Sequence, residues 1–301
     1  MAGNPSTVIV LGPSPDSYYV GYGRRHYAEN MSTSFMDHAK TALNISFSLW
    51  ISVSKTAQTW IDYNVATTNF HFNDDLNQDI RDHLSGANGK AAAEFVSFPD
   101  SEDPSHYFVK CKNQGAWNAV LPDYFIQQLS KMQREVADFD IGIKGMLFGK
   151  GKTNISLFQT GFQANFDEED ITSEDHPLYK VLLEFGQPNE GWCIQHGSTL
   201  CFYDSQFFYL KFKKPQENTI QMRWNLPSHI AAKLEELKEI AQKPEEQIAL
   251  MQENQSWQQV AMMRINAQMN TTNALANLMQ QGSLNILAAA SGGTIVERPR
   301  W

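Results

Sequence analysis

A short run of strands followed by a helix recurs along the first 242 residues, and this order constrains the fold more than any other feature. The unit is clearest between Glu94 and Gln133, where strands are expected at 94–98, 106–112 and 116–120 and a helix begins at Pro122. Apolar residues alternate with period two in the strands and change to helical spacing at Phe125, Leu129 and Met132.

About five such units can be aligned, at 7–44, 45–90, 91–138, 139–187 and 188–242. The second residues of their middle strands, Tyr18, Trp60, Tyr107, Ile155 and Phe208, stand 42, 47, 48 and 53 positions apart. In the fifth unit two candidates for the leading strand compete, at 192–195 and 200–203, and the extra strand either closes a ring or begins a sixth unit.

A unit of three or four short strands cannot bury both faces alone, so neighbouring units must share a core. Periods of about 40–50 residues with several strands each are typical of propeller blades. The sequence therefore predicts a mainly β protein with short helices, built from about five repeats of ~45 residues in a propeller-like ring. The alternative is a single α+β domain with coincidental regularity.

Each expected helix is preceded by residues that suit a helix start. Short polar side chains accept hydrogen bonds from the first free N–H groups, and proline needs no N–H in the first turn. The start signals are Ser32 or Ser34, Asn73 with Asp74, Pro122, Ser173 with Pro177, and Pro227 with Ser228.

The composition changes in a C-terminal segment, 243–301, after Pro244 interrupts the fifth helix. Residues 247–281 contain eight Gln, five Asn and five of the eleven Met. Apolar residues recur there at spacings of three and four, which predicts a helix that docks on a partner or forms a homo-oligomer through residues 245–281. A disordered Gln/Asn-rich tail is the alternative.

Composition excludes several classes of protein. The net charge of −9 argues against a general nucleic-acid binder, which needs many phosphate-neutralising cations. No run of 18 apolar residues is present, so no membrane span is expected, and no secretory signal is visible at the N-terminus. Three cysteines do not suggest a disulfide framework, and free thiols favour a cytoplasmic location.

The sequence contains only weak matches to motifs for catalysis, metal binding or phosphate binding. Gly149–Thr153 resembles a phosphate-binding loop, but the required first glycine falls on Met146 and a strand follows instead of a helix. Cys193, His196 and Cys201, with Cys111 as a fourth ligand, form an incomplete zinc pattern, so no metal and no cofactor are predicted. The acidic run 167–170 lacks the spacing of a calcium loop. No catalytic residue is identified, and the ligand-binding residues stay unknown.

The units resemble those of soluble fungal repeat proteins. Each repeat of those proteins begins with a small apolar strand and a Gly-Pro turn, and continues with a Ser-Tyr-aromatic strand and a short aromatic strand. It ends with Leu-Pro at the start of a helix. The residues that carry the resemblance are Leu11-Gly12-Pro13, Ser17-Tyr18-Tyr19-Val20, Leu121-Pro122 and Leu226-Pro227. It covers about residues 7–242 and implies a propeller-like fold without implying a particular activity.

The expected function is that of a non-enzymatic binding or interaction protein, with several similar surface pockets acting together on a protein partner or a glycan. One alternative is a lectin-like propeller, because aromatic-rich repeats offer faces on which sugars stack. Another is an enzyme whose site is assembled in space from residues far apart in sequence.

Overall fold

The computed structural model describes residues 6–256, except 114, 172, 188–189 and 218, together with residues 259, 262 and 263. The chain divides into two compact units, 1–250 and 251–301. Residues 244–250 of the first unit and residues 251–256 of the second are helical. Most of the segment 245–281 that is predicted to drive self-association lies outside the described residues.

The described part is mainly β with short helices, and its strands form separate antiparallel sheets, each followed by a helix. The first sheet contains β1 (Thr7–Leu11), β2 (Tyr18–Tyr22) and β3 (Arg25–Glu29), followed by α1 (Thr33–Thr41). The second contains β4 (Ser48–Val53), β5 (Trp60–Asn64) and β6 (Asn69–Phe72), followed by α2 (Gln78–Ser85). The third contains β7 (Ala93–Ser97), β8 (Tyr107–Cys111) and β9 (Trp117–Val120), followed by α3 (Asp123–Glu135) and the one-turn α4 (Phe139–Gly142).

The fourth sheet contains β10 (Ile143–Phe148), β11 (Asn154–Phe158) and β12 (Gly161–Asn165), followed by α5 (Pro177–Phe185). The fifth contains β13 (Cys193–Ile194), β14 (Thr199–Leu200), β15 (Phe208–Lys214) and β16 (Thr219–Asn225), followed by α6 (Ser228–Ala241). In every sheet the middle strand pairs with both neighbours, and none of the described sheets closes on itself as a barrel.

The fifth sheet resolves the choice between two leading strands. β13 and β14 both pair with β15, so the two segments are the halves of one interrupted leading strand. The residues between the halves, 195–198, leave the strand and carry His196 and a glycine with φ of 82°, Gly197. Neither segment begins a sixth unit.

The predicted repeat register is wrong by one residue in the fourth unit. The first residues of β2, β5, β8 and β15 are Tyr18, Trp60, Tyr107 and Phe208, whereas the first residue of β11 is Asn154. Ile155 is one residue further along.

The helix start signals are confirmed in part. Ser32 caps α1 by accepting from the backbone N–H of Phe35. The start predicted at Asn73 and Asp74 is wrong, because Asn77 caps α2 while the side chain of Asn73 accepts from the backbone N–H of Trp60. Pro122 and Pro227 are the residues before α3 and α6, and Pro177 is the first residue of α5.

One helix packs between each pair of sheets that share a core. α1 packs with the first and second sheets, and α3 with the third and fourth. α2 and α5 contribute to a larger cluster that joins the second sheet to the third and the fourth to the fifth. α6, at the end of the fifth unit, packs against both the fifth sheet and the first.

The leading strands also contact one another. β1 contacts β4, β4 contacts β7, β7 contacts β10, β10 contacts β14, and β14 contacts β1. Two lysines in equivalent positions of their middle strands reinforce this order. Lys110 Nζ donates to the backbone carbonyl of Asp140, before β10, and Lys211 Nζ donates to that of Thr7 in β1, at 3.0 and 2.8 Å. Burial lowers the pKa of Lys211 to about 8. Each lysine therefore joins its own sheet to the start of another unit.

No helix within the described residues is long and apolar enough to cross a membrane.

Candidate functional site

Side chains fill most of the space between the leading strands. Its cavity measures about 40 Å³, which is room for roughly one water molecule. Large aromatic residues from four units line it: Trp50, Phe95, Phe98, Phe148 and Phe202. This space is therefore too small for a ligand much larger than a water molecule.

A larger cavity of about 460 Å³, here called the side pocket, opens where the third, fourth and fifth sheets meet. This volume lies within the range of about 300–1,000 Å³ that is usual for small-molecule sites. The pocket is lined by Glu94 of β7, Lys144 of β10, Phe158, Gln159, Cys193, Ile194, Gln195, His196, Lys213 and Pro215.

Irregularities in the leading strands bring the charged residues to the pocket. Strand register shifts at Glu94 in β7 and at Lys144 in β10, and the same shift occurs at Leu49 in β4. A β-bulge turns a side chain away from the direction that strict alternation would give it. Glu94 and Lys144 thus occupy equivalent bulge positions in successive units, and the break after Ile194 adds Gln195 and His196 from the fifth unit.

A ring stack holds His196, which lines the side pocket. The rings of Phe95 and His196 are nearly parallel, at 5°, with centroids 4.4 Å apart. Gly145 makes room for this stack, because a Cβ there would lie 2.6 Å from the Phe95 ring. His196 Nε2 lies 3.0 Å from the backbone carbonyl of Lys144, and burial lowers the pKa of the imidazole. His196 is therefore a fixed, neutral part of the pocket lining near pH 7.

The charged side chains of the pocket lack partners within the described part of the chain. Neither lysine, Lys144 nor Lys213, has a carboxylate within 4.0 Å among the described ion pairs, and Glu94 has no basic group at that distance. By contrast, Lys55, Lys90 and Lys150 elsewhere on the surface each pair with an aspartate at 2.7–2.8 Å. The side pocket combines a concave shape with charges that a ligand can satisfy.

The candidate zinc residues do not come together. Cys193 lines the side pocket and donates its thiol to the backbone carbonyl of Gln159 at 3.0 Å. Cys201 Sγ instead accepts from the backbone N–H of Asp204, and burial raises the pKa of this thiol to about 11. Within the described residues, no three His, Cys, Asp or Glu side chains are placed to hold one metal ion.

Cys111 belongs to a chain of contacts that resembles a cysteine nucleophile with its base. Its sulfur lies 3.8 Å from His83 Nδ1, and His83 Nε2 lies 3.3 Å from the amide nitrogen of Asn118. However, His83 Nδ1 also lies 2.9 Å from the carbonyl of Ala91, and burial raises the pKa of the Cys111 thiol. An active nucleophile needs the opposite shift and access to solvent. Cys111 is only 2% exposed, so these residues pack α2 against the third sheet.

The stretch Gly149–Thr153 forms the turn between β10 and β11, and four of its five backbone N–H groups donate to acceptors within the protein. Gly151 N donates to Asp100 at 2.6 Å, and Lys152 N donates to Asp167 at 3.0 Å. Lys150 pairs with Asp170 at 2.8 Å. The acidic run 167–170 therefore binds this turn, which leaves little opportunity for phosphate or a cation.

A buried polar cluster joins the first two units and was not identified from the sequence. Asp62 of β5 is 1% exposed, and its carboxylate accepts from the Ser48 hydroxyl while lying 3.0 Å from His38 Nε2 of α1. His38 stacks on Trp60 at 4.7 Å. The aspartate sits between serine and histidine, so the histidine cannot activate the serine as it does in a hydrolase triad. An aspartate in the middle of an alternating apolar strand was the signal that sequence reasoning passed over.

No family model, no curated protein and no solved structure matches this chain. The side pocket is therefore identified as the candidate site by its geometry and charges alone.

Proposed function

We propose that this protein is a non-enzymatic binding scaffold that takes a small polar ligand in the side pocket. The observation that carries the proposal is the presence of Glu94, Lys144 and Lys213 around a cavity of about 460 Å³, without ion-pair partners among the described residues. All three side chains are half-buried around a concave site, where a ligand can replace the surrounding water and pair with their charges.

We also propose that the five units, which together support this pocket, form a five-bladed, propeller-like ring. Contacts between the leading strands run from β1 through β4, β7, β10 and β14 back to β1, and α6 fills the interface between the fifth sheet and the first. A closed order of this kind gives each sheet a neighbour on both faces, as a repeat unit with two apolar faces requires. The ring would hold Glu94, Lys144 and Gln195 rigidly, since each lies in or beside a leading strand.

The contacts of the nucleophilic groups support binding over catalysis. The thiol of Cys193 donates to a backbone carbonyl, and burial raises its pKa. The imidazole of His196 is held by Phe95 and by the Lys144 carbonyl, which leaves it poorly placed to take a proton from a substrate. A cytoplasmic location and a protein partner for the C-terminal segment stay predictions from the sequence.

A screen of small polar compounds tests the pocket. We expect thermal-shift measurements with a panel of anionic, cationic and neutral metabolites to find compounds that stabilise the full chain. The variant Gln195→Trp, which places an indole in the pocket, should lose those shifts, whereas Gln187→Trp on an exposed surface should keep them. NMR spectra should show each bound compound unchanged after incubation. Hits that persist in Gln195→Trp, or compounds that are converted, would contradict the proposal.

A further inference from the structure

The side pocket has an excess of positive charge within a protein whose net charge is −9. Two lysines, Lys144 and Lys213, line it against one carboxylate, that of Glu94. His196 adds no charge near pH 7, because burial lowers its pKa. The lining of the pocket therefore carries a net positive charge, which favours an anionic ligand.

The remaining lining suits a hydroxylated molecule. The Gln159 amide can donate and accept, and the Glu94 carboxylate accepts from hydroxyl groups. The Gln195 amide donates to the Cys193 carbonyl at 3.4 Å, which leaves its oxygen and its second N–H for a ligand. Phe158 adds a half-buried aromatic ring at the edge of the cavity. Sugar rings have an apolar C–H face for such a ring and hydroxyls for such amides.

We propose that the side pocket binds an acidic sugar, a pyranose that carries a carboxylate. Lys144 and Lys213 bind the carboxylate, Glu94 and the two glutamine amides bind ring hydroxyls, and Phe158 packs on the C–H face. This inference rests on the proposed function of the side pocket as a binding site.

Isothermal titration of the full-length protein with D-glucuronate, D-glucose and inorganic phosphate tests the ligand class. D-glucose has the same ring without the carboxylate, and phosphate has the charge without the ring. We expect glucuronate to bind at least about tenfold more tightly than either, because one charge-assisted hydrogen bond contributes about 1.5–3 kcal/mol.

Variants then assign the contacts. Lys144→Met and Lys213→Met should each weaken glucuronate binding by about tenfold or more, since each removes one charged donor. Lys152→Met is the matched control, because Lys152 is exposed and lies outside the pocket, and it should bind as the wild type does. Circular dichroism and thermal unfolding establish that each variant is folded.

Several results would overturn the inference. Equal affinity for glucose and glucuronate would remove the role of the carboxylate, and unchanged affinity in both lysine variants would remove the role of the lysines. Binding of phosphate but of none of the sugars would indicate an anion site that does not recognise a sugar ring. If glucuronate, galacturonate and N-acetylneuraminate all fail at millimolar concentration, the ligand class is wrong. Hits of another class that Gln195→Trp abolishes would still leave the proposed function standing.

Discussion

Replacing His38 with leucine is expected to lower the free energy of unfolding by about 3–5 kcal/mol, because the carboxylate of Asp62 is left buried without its histidine. Asp62 is 1% and His38 is 8% exposed, so water cannot replace the lost partner without rearrangement. The Ser48 hydroxyl alone cannot satisfy both carboxylate oxygens. The pair also links α1 of the first unit to β5 of the second, so its loss should separate the two units at their interface.

Urea unfolding of the full chain measures this effect, and the double variant His38→Leu/Asp62→Leu provides the decisive comparison. Removing both partners removes the unpaired charge, so the double variant should be less destabilised than the sum of the two single variants. His106→Leu is the control, since half-buried His106 lies 3.8 Å from the exposed Asp103 and 2.7 Å from the Ser101 hydroxyl, and its loss should cost only about 0.5–1.5 kcal/mol. A loss in His38→Leu no larger than in His106→Leu would show that the cluster does not hold the interface.

The second large effect is expected in α6. Ile230→Ala and Leu234→Ala should each cost about 2–5 kcal/mol, because both side chains are almost fully buried and leave cavities when shortened. They pack with Ile9, Leu11 and Tyr18 of the first sheet and with Tyr209 of the fifth. The loss therefore falls on the interface between the last unit and the first.

Two comparisons make this prediction specific. Leu129→Ala in α3, which occupies the corresponding interface between the third and fourth sheets, should cost a similar amount. Glu239→Ala on the exposed side of α6 should change the stability by less than about 0.5 kcal/mol. If Ile230→Ala and Leu234→Ala resemble Glu239→Ala, α6 does not pack against the first sheet as described.

The sequence predicts much of the secondary structure, because strand alternation and helix caps are local. The alternation of Met222 and Trp224 correctly indicates β16, and Ser32 correctly indicates the start of α1. The start of α2 was predicted too early, because Asn73 has a cap residue's chemistry but bonds to Trp60 in the neighbouring strand. Only the fold distinguishes that contact from a cap.

The candidate site could not be predicted in the same way. Glu94 and Lys144 reach the side pocket through bulges, and a bulge is defined by the pairing strand rather than by the residue itself. His196 was considered as a metal ligand beside Cys193, but Gly145 admits a Phe95 ring that holds the imidazole in a stack. Asp62 and His38 are 24 residues apart and in different units, so no local pattern joins them.

The proposed ring depends on contact between the last unit and the first. Carbodiimide cross-linking of the Arg25→Lys variant tests this contact most directly. Glu246, after α6, contacts Arg25 of β3, and a lysine at 25 would couple to that carboxylate whereas arginine does not. The pair of Lys55 and Asp100, 2.7 Å apart, is an internal positive control, and a mixture of ¹⁴N- and ¹⁵N-labelled protein identifies links between molecules. We predict an intramolecular peptide joining residues 25 and 246 in the variant and its absence in the wild type. Coupling of Lys55 to Asp100 without any link from residue 25 to 246 would contradict the closed order of units.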